Sequence, residues 1–289
     1  MNEAIAAMLK NYGQIREPDD EKNAIKEIIQ YITLLGLHRG GFFEKASFYG
    51  GTALRLLYGL DRFSEDMDFC LNKQDSEFNL KPYFSPILEE LERFGFNAKI
   101  ESKKTGPEAV IESAFVKQDT IEGLLLIEKN LRGAIKGELL KVRLEVDKYN
   151  PEGASFSKKL VKLPVPYMIG TLTEPSLFAG KIHALIARTY LNRVKGRDYY
   201  DFLFYMARGT KVNIKYLESK LRDSKHFSDD DKLSLEALKE ILVNKFKTVD
   251  FSKAKADVLP FIKKDKVSSL NDWSYELFSS IAQELLAAA

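Results

Sequence analysis

The run from Ala46 to Leu71 constrains the fold more than any other part of the chain. Ala46-Ser47-Phe48-Tyr49 predicts a short strand that enters Gly50-Gly51 without a linker. Thr52 to Leu57 then predicts a helix that Gly59 can close in the left-handed C′ position. Met67 to Leu71 predicts a second strand, led in by Asp66.

The rest of the chain extends that frame. Ile25, Ile28, Ile29, Ile32 and Leu35 recur at helical spacing within residues 21–37, so a helix covers something there. A helix is expected over Ser85–Phe94. Strands are expected at Asn97–Glu101, Val110–Val116 and near Leu124–Ile127. The clearest strand is Leu139–Lys148, where Leu140, Val142, Leu144 and Val146 alternate with Lys141, Arg143, Glu145 and Asp147. After Asn150 the composition changes. Pro151, Pro164 and Pro166 punctuate an extended segment, and from Thr173 the pattern is helical. Thr173 suits an N-cap and Pro175 the first turn of a helix running to Arg188. Four or more helices follow, with breaks near Gly209, Ser224–Ser228, Pro260 and Ser268. No internal repeat or low-complexity segment is present.

Composition removes several function classes. With 45% hydrophobic and 30% charged residues, the chain is typical of a soluble globular protein. No apolar run approaches membrane-spanning length, and Met1-Asn2-Glu3-Ala4 has none of the features of a signal peptide, so a cytoplasmic protein without a membrane partner is expected. The single cysteine, Cys70, excludes an internal disulfide and fits a reducing compartment. It is expected to be buried and inert. One cysteine and three scattered histidines leave no zinc framework. A net charge of +2 points neither toward nor away from nucleic acid.

Asp66 and Asp68 stand two apart, so on a strand both carboxylates leave the same face, with Cα atoms roughly 6.5 Å apart. At an effective dielectric near 20 they repel by roughly 3 kcal/mol. An apolar frame (Met67, Phe69, Leu71) that keeps them together calls for a cation, and hard oxygen donors select Mg²⁺ or Mn²⁺. Two such ions could activate an attacking oxygen and neutralise a leaving one. The pair alone is weak, because 42 acids in 289 residues give about six acid-x-acid pairs by chance. Read alone it is a solvated strand face. Gly50-Gly51-Thr52 changes the reading, since a strand–Gly-Gly–helix turn lets amides and a hydroxyl approach phosphate oxygens at a positive helix end. The two devices together point to phosphoryl chemistry on a nucleotide.

At these residues the chain resembles the nucleotidyltransferase AbiEii/AbiGii toxin family of the DNA polymerase β-like superfamily. The matching run is Gly50-Gly51-Thr52-Ala53-Leu54, then Arg62-x-Ser64-x-Asp66-x-Asp68-Phe69. The likeness extends to Lys141–Asp147, to Ala179-Gly180-Lys181, and to Arg197-Asp198-Tyr199-Tyr200-Asp201. It implies an α+β fold: a polymerase β-like nucleotidyltransferase domain, a mixed sheet with flanking helices, over residues 1–165, and a C-terminal helical bundle over 166–289. It implies transfer of an NMP from NTP to an acceptor hydroxyl with loss of pyrophosphate, helped by two Mg²⁺ or Mn²⁺ ions. The acceptor it implies is RNA, most plausibly a tRNA end, and the setting a toxin with a cognate antitoxin protein. A small-molecule acceptor such as an aminoglycoside, or a catalytically silent binding module on the same fold, are the competing readings.

The resemblance also assigns residues. Asp66 and Asp68 would coordinate metal. Glu145 sits at the family's third-carboxylate position, with Asp147 open as an alternative. Gly50, Gly51, Thr52 and Ser64 would lie against the nucleotide. Lys181 would reach its phosphates across a cleft, and Asp198 and Asp201 would stand near the active site. Each has a plain alternative: Glu145 and Asp147 as an exposed ladder with Arg143 and Lys148, Lys181 as a surface lysine, Asp198 and Asp201 as an acidic cap tethering helices. Gly180-Lys181 is not a P-loop, because Pro175 and Ile182 stand at positions that require glycine and a hydroxyl. Phe202, Phe204 and Tyr205 read as helix core. Lysines at 245, 247, 253, 255, 263, 264 and 266 read as a solvated face or an RNA-docking surface.

Overall fold

The computed structural model describes residues 3–12, 18–103, 120–128, 139–188 and 194–288. The first part runs α1 (Glu3–Leu9), α2 (Pro18–Arg39), β1 (Ala46–Tyr49), α3 (Gly50–Tyr58), β2 (Met67–Leu71) and α4 (Phe84–Arg93). Five strands follow: β3 (Ala98–Lys103), β4 (Thr120–Glu128), β5 (Leu139–Asp147), β6 (Phe156–Val161) and β7 (Tyr167–Leu172). The last part is helical: α5 (Glu174–Ala187), α6 (Gly196–Ala207), α7 (Ile214–Asp223), α8 (Leu235–Lys247), α9 (Phe251–Val258) and α10 (Tyr275–Gln283).

The strands form one mixed sheet in the order β3-β4-β5-β2-β1-β7-β6. β2 is antiparallel to β1 and parallel to β5, and β1 is parallel to β7. Alternation along each strand divides the sheet between two cores. Met67 and Phe69 of β2, with Val142, Leu144 and Val146 of β5, meet the isoleucines of α2. Cys70 and Leu172 face the other way and join Leu177, Phe178, Phe202, Phe246 and Phe278 of the helical part. Phe202 and Tyr205 are thus core, as their spacing indicates, and Cys70 is a buried free thiol. Burial pushes that thiol up to about 12, which keeps it protonated and unreactive.

The predicted elements are largely present, with shifted ends. The 21–37 helix is α2. The helix expected from Thr52 begins at Gly50, and Gly59 closes it at φ 78. The strand expected at Val110–Val116 lies outside the described residues. The proline-punctuated segment, expected only to be extended, is the β6–β7 hairpin, with Pro164 and Pro166 confined to its connection. Prolines tolerated in a loop had masked a ladder on both sides of it. Among the described residues no helix is long and apolar enough to cross a membrane.

Candidate active site

Tyr49, extended at φ −146, ends β1 and caps α3, whose first turn carries neither an acidic residue nor a side-chain cap. Gly50 follows at φ 80, a conformation that side chains with a Cβ rarely adopt. Its hydrogen in place of a methyl also makes room for Asp68: a Cβ there would stand 2.2 Å from Asp68 Oδ2. Gly51 serves a second approach, since its Cβ would lie 2.9 Å from both Arg62 Nη2 and Ser64 Oγ. Thr52 is fully buried, and its hydroxyl donates to the Asp66 carbonyl. That hydroxyl ties α3 to the start of β2 rather than standing open to a ligand. From the opposite core, Gln30 donates to the carbonyls of Ser64 and Glu65 at 3.0 and 3.1 Å, fixing the entry to β2. The glycine pair and the carboxylate pair are therefore one packing unit.

Asp66 sits one residue before β2, not within it. The parallel register pairs Asp68 with Glu145 and Cys70 with Asp147, so all these side chains leave the sheet on the side of the helical part. The register separates the two candidates for third carboxylate. Glu145 is cross-strand neighbour to Asp68, whereas Asp147 lies further along, where its charge helps to push the buried Tyr49 and Tyr216 phenols up. Burial raises the Asp66 carboxyl above its usual range; Arg143 opposes the shift, and Glu145 and Glu65 add to it. Arg143 also donates to Glu145 at 3.3 Å.

A divalent cation suits this donor set by its chemistry. Asp68 and Glu145 are hard oxygen donors on one face with Asp66 just ahead of the strand, and a cation would relieve the burial and like-charge repulsion carried by Asp66. Among the described residues no three His, Cys, Asp or Glu side chains converge closely enough to hold an ion by themselves. Oxygens from a bound triphosphate would have to complete the coordination, which is common for Mg²⁺.

Behind the glycine pair lies a buried charge network spanning both parts of the fold. Arg62, 2% exposed, grips the fully buried Asp201 with two bonds of 2.6 Å. Lys181 Nζ stands 2.8 Å from Asp201 and 3.1 Å from Asp198, and Arg188 pairs with Asp198 as well. Burial alone would raise both aspartates, but Arg62 and Lys181 hold Asp201 low, and Lys181 and Arg188 hold Asp198 low. So Lys181 is neither a surface lysine nor an open phosphate hook in this state. It and the two aspartates tether α5 and α6 to the loop that carries Arg62, and the arginine's reach across 139 residues was not legible in local pattern.

The sequence matches the family described as nucleotidyl transferase AbiEii toxin, type IV TA system, over residues 33–277. No curated protein matches. Among solved structures, a protein from H. pylori assigned as a nucleotidyltransferase aligns at TM-score 0.47 and 19% identity, covering 91% of this chain and 94% of its own. JHP933 from Helicobacter pylori aligns at TM-score 0.42 and 18% identity, with 91% and 88% covered. An antigenic nucleotidyltransferase-like protein from Paracoccidioides brasiliensis aligns at TM-score 0.44 and 16% identity, with 83% and 96% covered.

Proposed function

The chain belongs to the AbiEii nucleotidyltransferase toxin family, and on that premise we propose that it transfers an NMP from NTP to a hydroxyl of RNA, most plausibly a tRNA end, as the toxin of a pair with a cognate antitoxin. The observation that carries this reading is the meeting of three segments at Asp68: the Gly50 backbone on one side, Glu145 in register on the other, and Asp66 one residue ahead of the strand that carries Asp68.

Mg²⁺ or Mn²⁺ is the expected cofactor, two ions that would neutralise the charge developing on the leaving pyrophosphate and lower the pKa of the attacking hydroxyl. Asp66, Asp68 and Glu145 would hold them. The uncapped first turn of α3 at Gly50 and Gly51 would accept triphosphate oxygens. Ser64, packed against Gly51, would border the same oxygens. Lys181, with 15% of its side chain exposed, would exchange a pairing with Asp198 for a phosphate oxygen when nucleotide enters. The acceptor oxygen would bond to the α-phosphorus as the α–β anhydride bond breaks and pyrophosphate leaves, and Glu145 would take the hydroxyl proton. Positioning and charge neutralisation supply most of the rate in such transfers.

The test offers α-labelled NTPs and Mg²⁺ to the protein with total cellular RNA in one arm and an aminoglycoside panel in the other. Label on RNA is expected. Label on a drug alone would replace the acceptor, and label on neither would remove the reading.

A further inference from the structure

Beside Asp66, on the side away from the glycine turn, lies a pocket of about 450 Å³ lined by Lys22, Lys26, Glu65, Asp66, Lys141 and Arg143, with Leu124 and Leu140 behind them. Its cations come from two distant segments. Lys22 and Lys26 are four apart on α2 and share a helix face; Lys141 and Arg143 are two apart on β5 and share a strand face. Four cations meet two carboxylates in this lining. Lys26 pairs with Glu65 at 2.7 Å and Arg143 with Glu145 at 3.3 Å, so the cations already hold the acids that border the chemistry.

We infer that this pocket is a subsite for backbone phosphates of the acceptor strand, and that it selects a polyanionic acceptor over a small cationic one. The inference rests on the nucleotidyltransferase reading of Asp66. Sheet order carries the assignment of sides: β2 lies between β1, which delivers Gly50 and Gly51, and β5, which delivers Lys141 and Arg143. The pocket lining includes Asp66 but not Gly50, Gly51 or Asp68. A nucleotide seated on the α3 turn therefore approaches the carboxylates from the β1 side, and the basic pocket remains for what approaches from the β5 side. A polycationic drug would meet a net positive wall there, whereas a nucleic-acid strand would exchange its counterions for lysines. The subsite would bring the terminal hydroxyl toward Asp66 and Glu145.

The measurement is fluorescence anisotropy of a labelled single-stranded RNA oligonucleotide with a free 3′-hydroxyl, without NTP, across a salt series. Wild type should bind with a steep salt dependence. Lys22→Glu/Lys141→Glu should weaken binding at least tenfold and flatten the log–log salt slope by about 1.4, at roughly 0.7 per lost single-strand phosphate contact. Lys141→Glu alone, on an exposed strand position, should have about half that effect on the slope. Lys247→Glu/Lys263→Glu, the same charge change on exposed positions of the helical part, should lose less than the first pair. Unchanged RNA affinity in the first pair would overturn the inference, as would a larger loss in the second. So would a first pair that keeps RNA but loses Mg²⁺-dependent NTP affinity in calorimetry, because the pocket would then hold the donor. Wild-type NTP transfer is scored separately, so the chemistry and the subsite can fail independently.

Discussion

Gly50→Ala should cost more than the same methyl addition at Gly59, and the structure supplies both components of the cost. The first is conformational: at φ 80 an L-residue pays about 1–2 kcal/mol. The second is collision. The new Cβ would sit 2.2 Å from Asp68 Oδ2, so the carboxylate must move by about 1 Å to reach ordinary contact, at an off-rotamer cost of about 0.5–1.5 kcal/mol. Together these predict a loss of about 1.5–3.5 kcal/mol, or roughly 2–6 °C in Tm for a chain of this size. Gly59→Ala is the matched control, since it has φ 78 but nothing within 4 Å of its Cβ position. It should pay the conformational cost alone. Asp68 should be displaced only in the first variant, and a displacement near 1 Å costs on the order of 10² in rate. Thermal unfolding and NTP transfer on both variants test the account. Equal stability and equal turnover in the two would refute the claim that Gly50 exists to make room for Asp68.

Three further outcomes follow from the same geometry. Asp201→Asn leaves the buried Arg62 without its carboxylate and should cost about 3–5 kcal/mol in urea unfolding. Arg62→Met/Asp201→Leu should cost less than the sum of the single changes, and strict additivity would contradict the pairing. His183, whose Nε2 lies 3.0 Å from Ser224 Oγ, is pushed down to about 3 by burial, with Lys220 adding. Its folded pKa lies below its unfolded one, so its contribution is complete above about pH 6.5 and is lost as pH falls from there toward 3. Between pH 6.5 and 4.5 the loss should reach about 2–3 kcal/mol, and His183→Gln should lack it. Parallel pH profiles for the two proteins would rule that out. Gly36→Ala, whose Cβ would stand 2.6 Å from the Ile87 backbone, should push α2 off α4 and cost about 1–3 kcal/mol, read by thermal unfolding.

How much was legible in the chain depended on range. Residues close in sequence announced themselves: the strand ending at Tyr49, the helix closed by Gly59, and the alternation from Leu140 to Asp147 each carried a complete local signal. The reason for Gly50 was only half legible. Its turn conformation could be anticipated, but its contact with Asp68 depends on a strand pairing that places Tyr49 opposite Asp68. Thr52 looked like a phosphate ligand because a hydroxyl after two glycines is ambiguous until its partner, the Asp66 carbonyl, is known. Arg62 entered only as a motif position, and nothing near it in sequence revealed that Asp201 is its counter-ion. Lys22 and Lys26 were invisible as site residues, because an amphipathic helix advertises its buried face and not the neighbour of its exposed one.

Transfer of label from an α-labelled NTP, with and without Mg²⁺, in wild type and in Asp66→Ala, decides whether these carboxylates carry nucleotidyl transfer. Wild type should label RNA in a Mg²⁺-dependent manner, and an Asp66→Ala protein whose unfolding transition is unchanged should not label it. Undiminished labelling by the folded variant would contradict that role for Asp66.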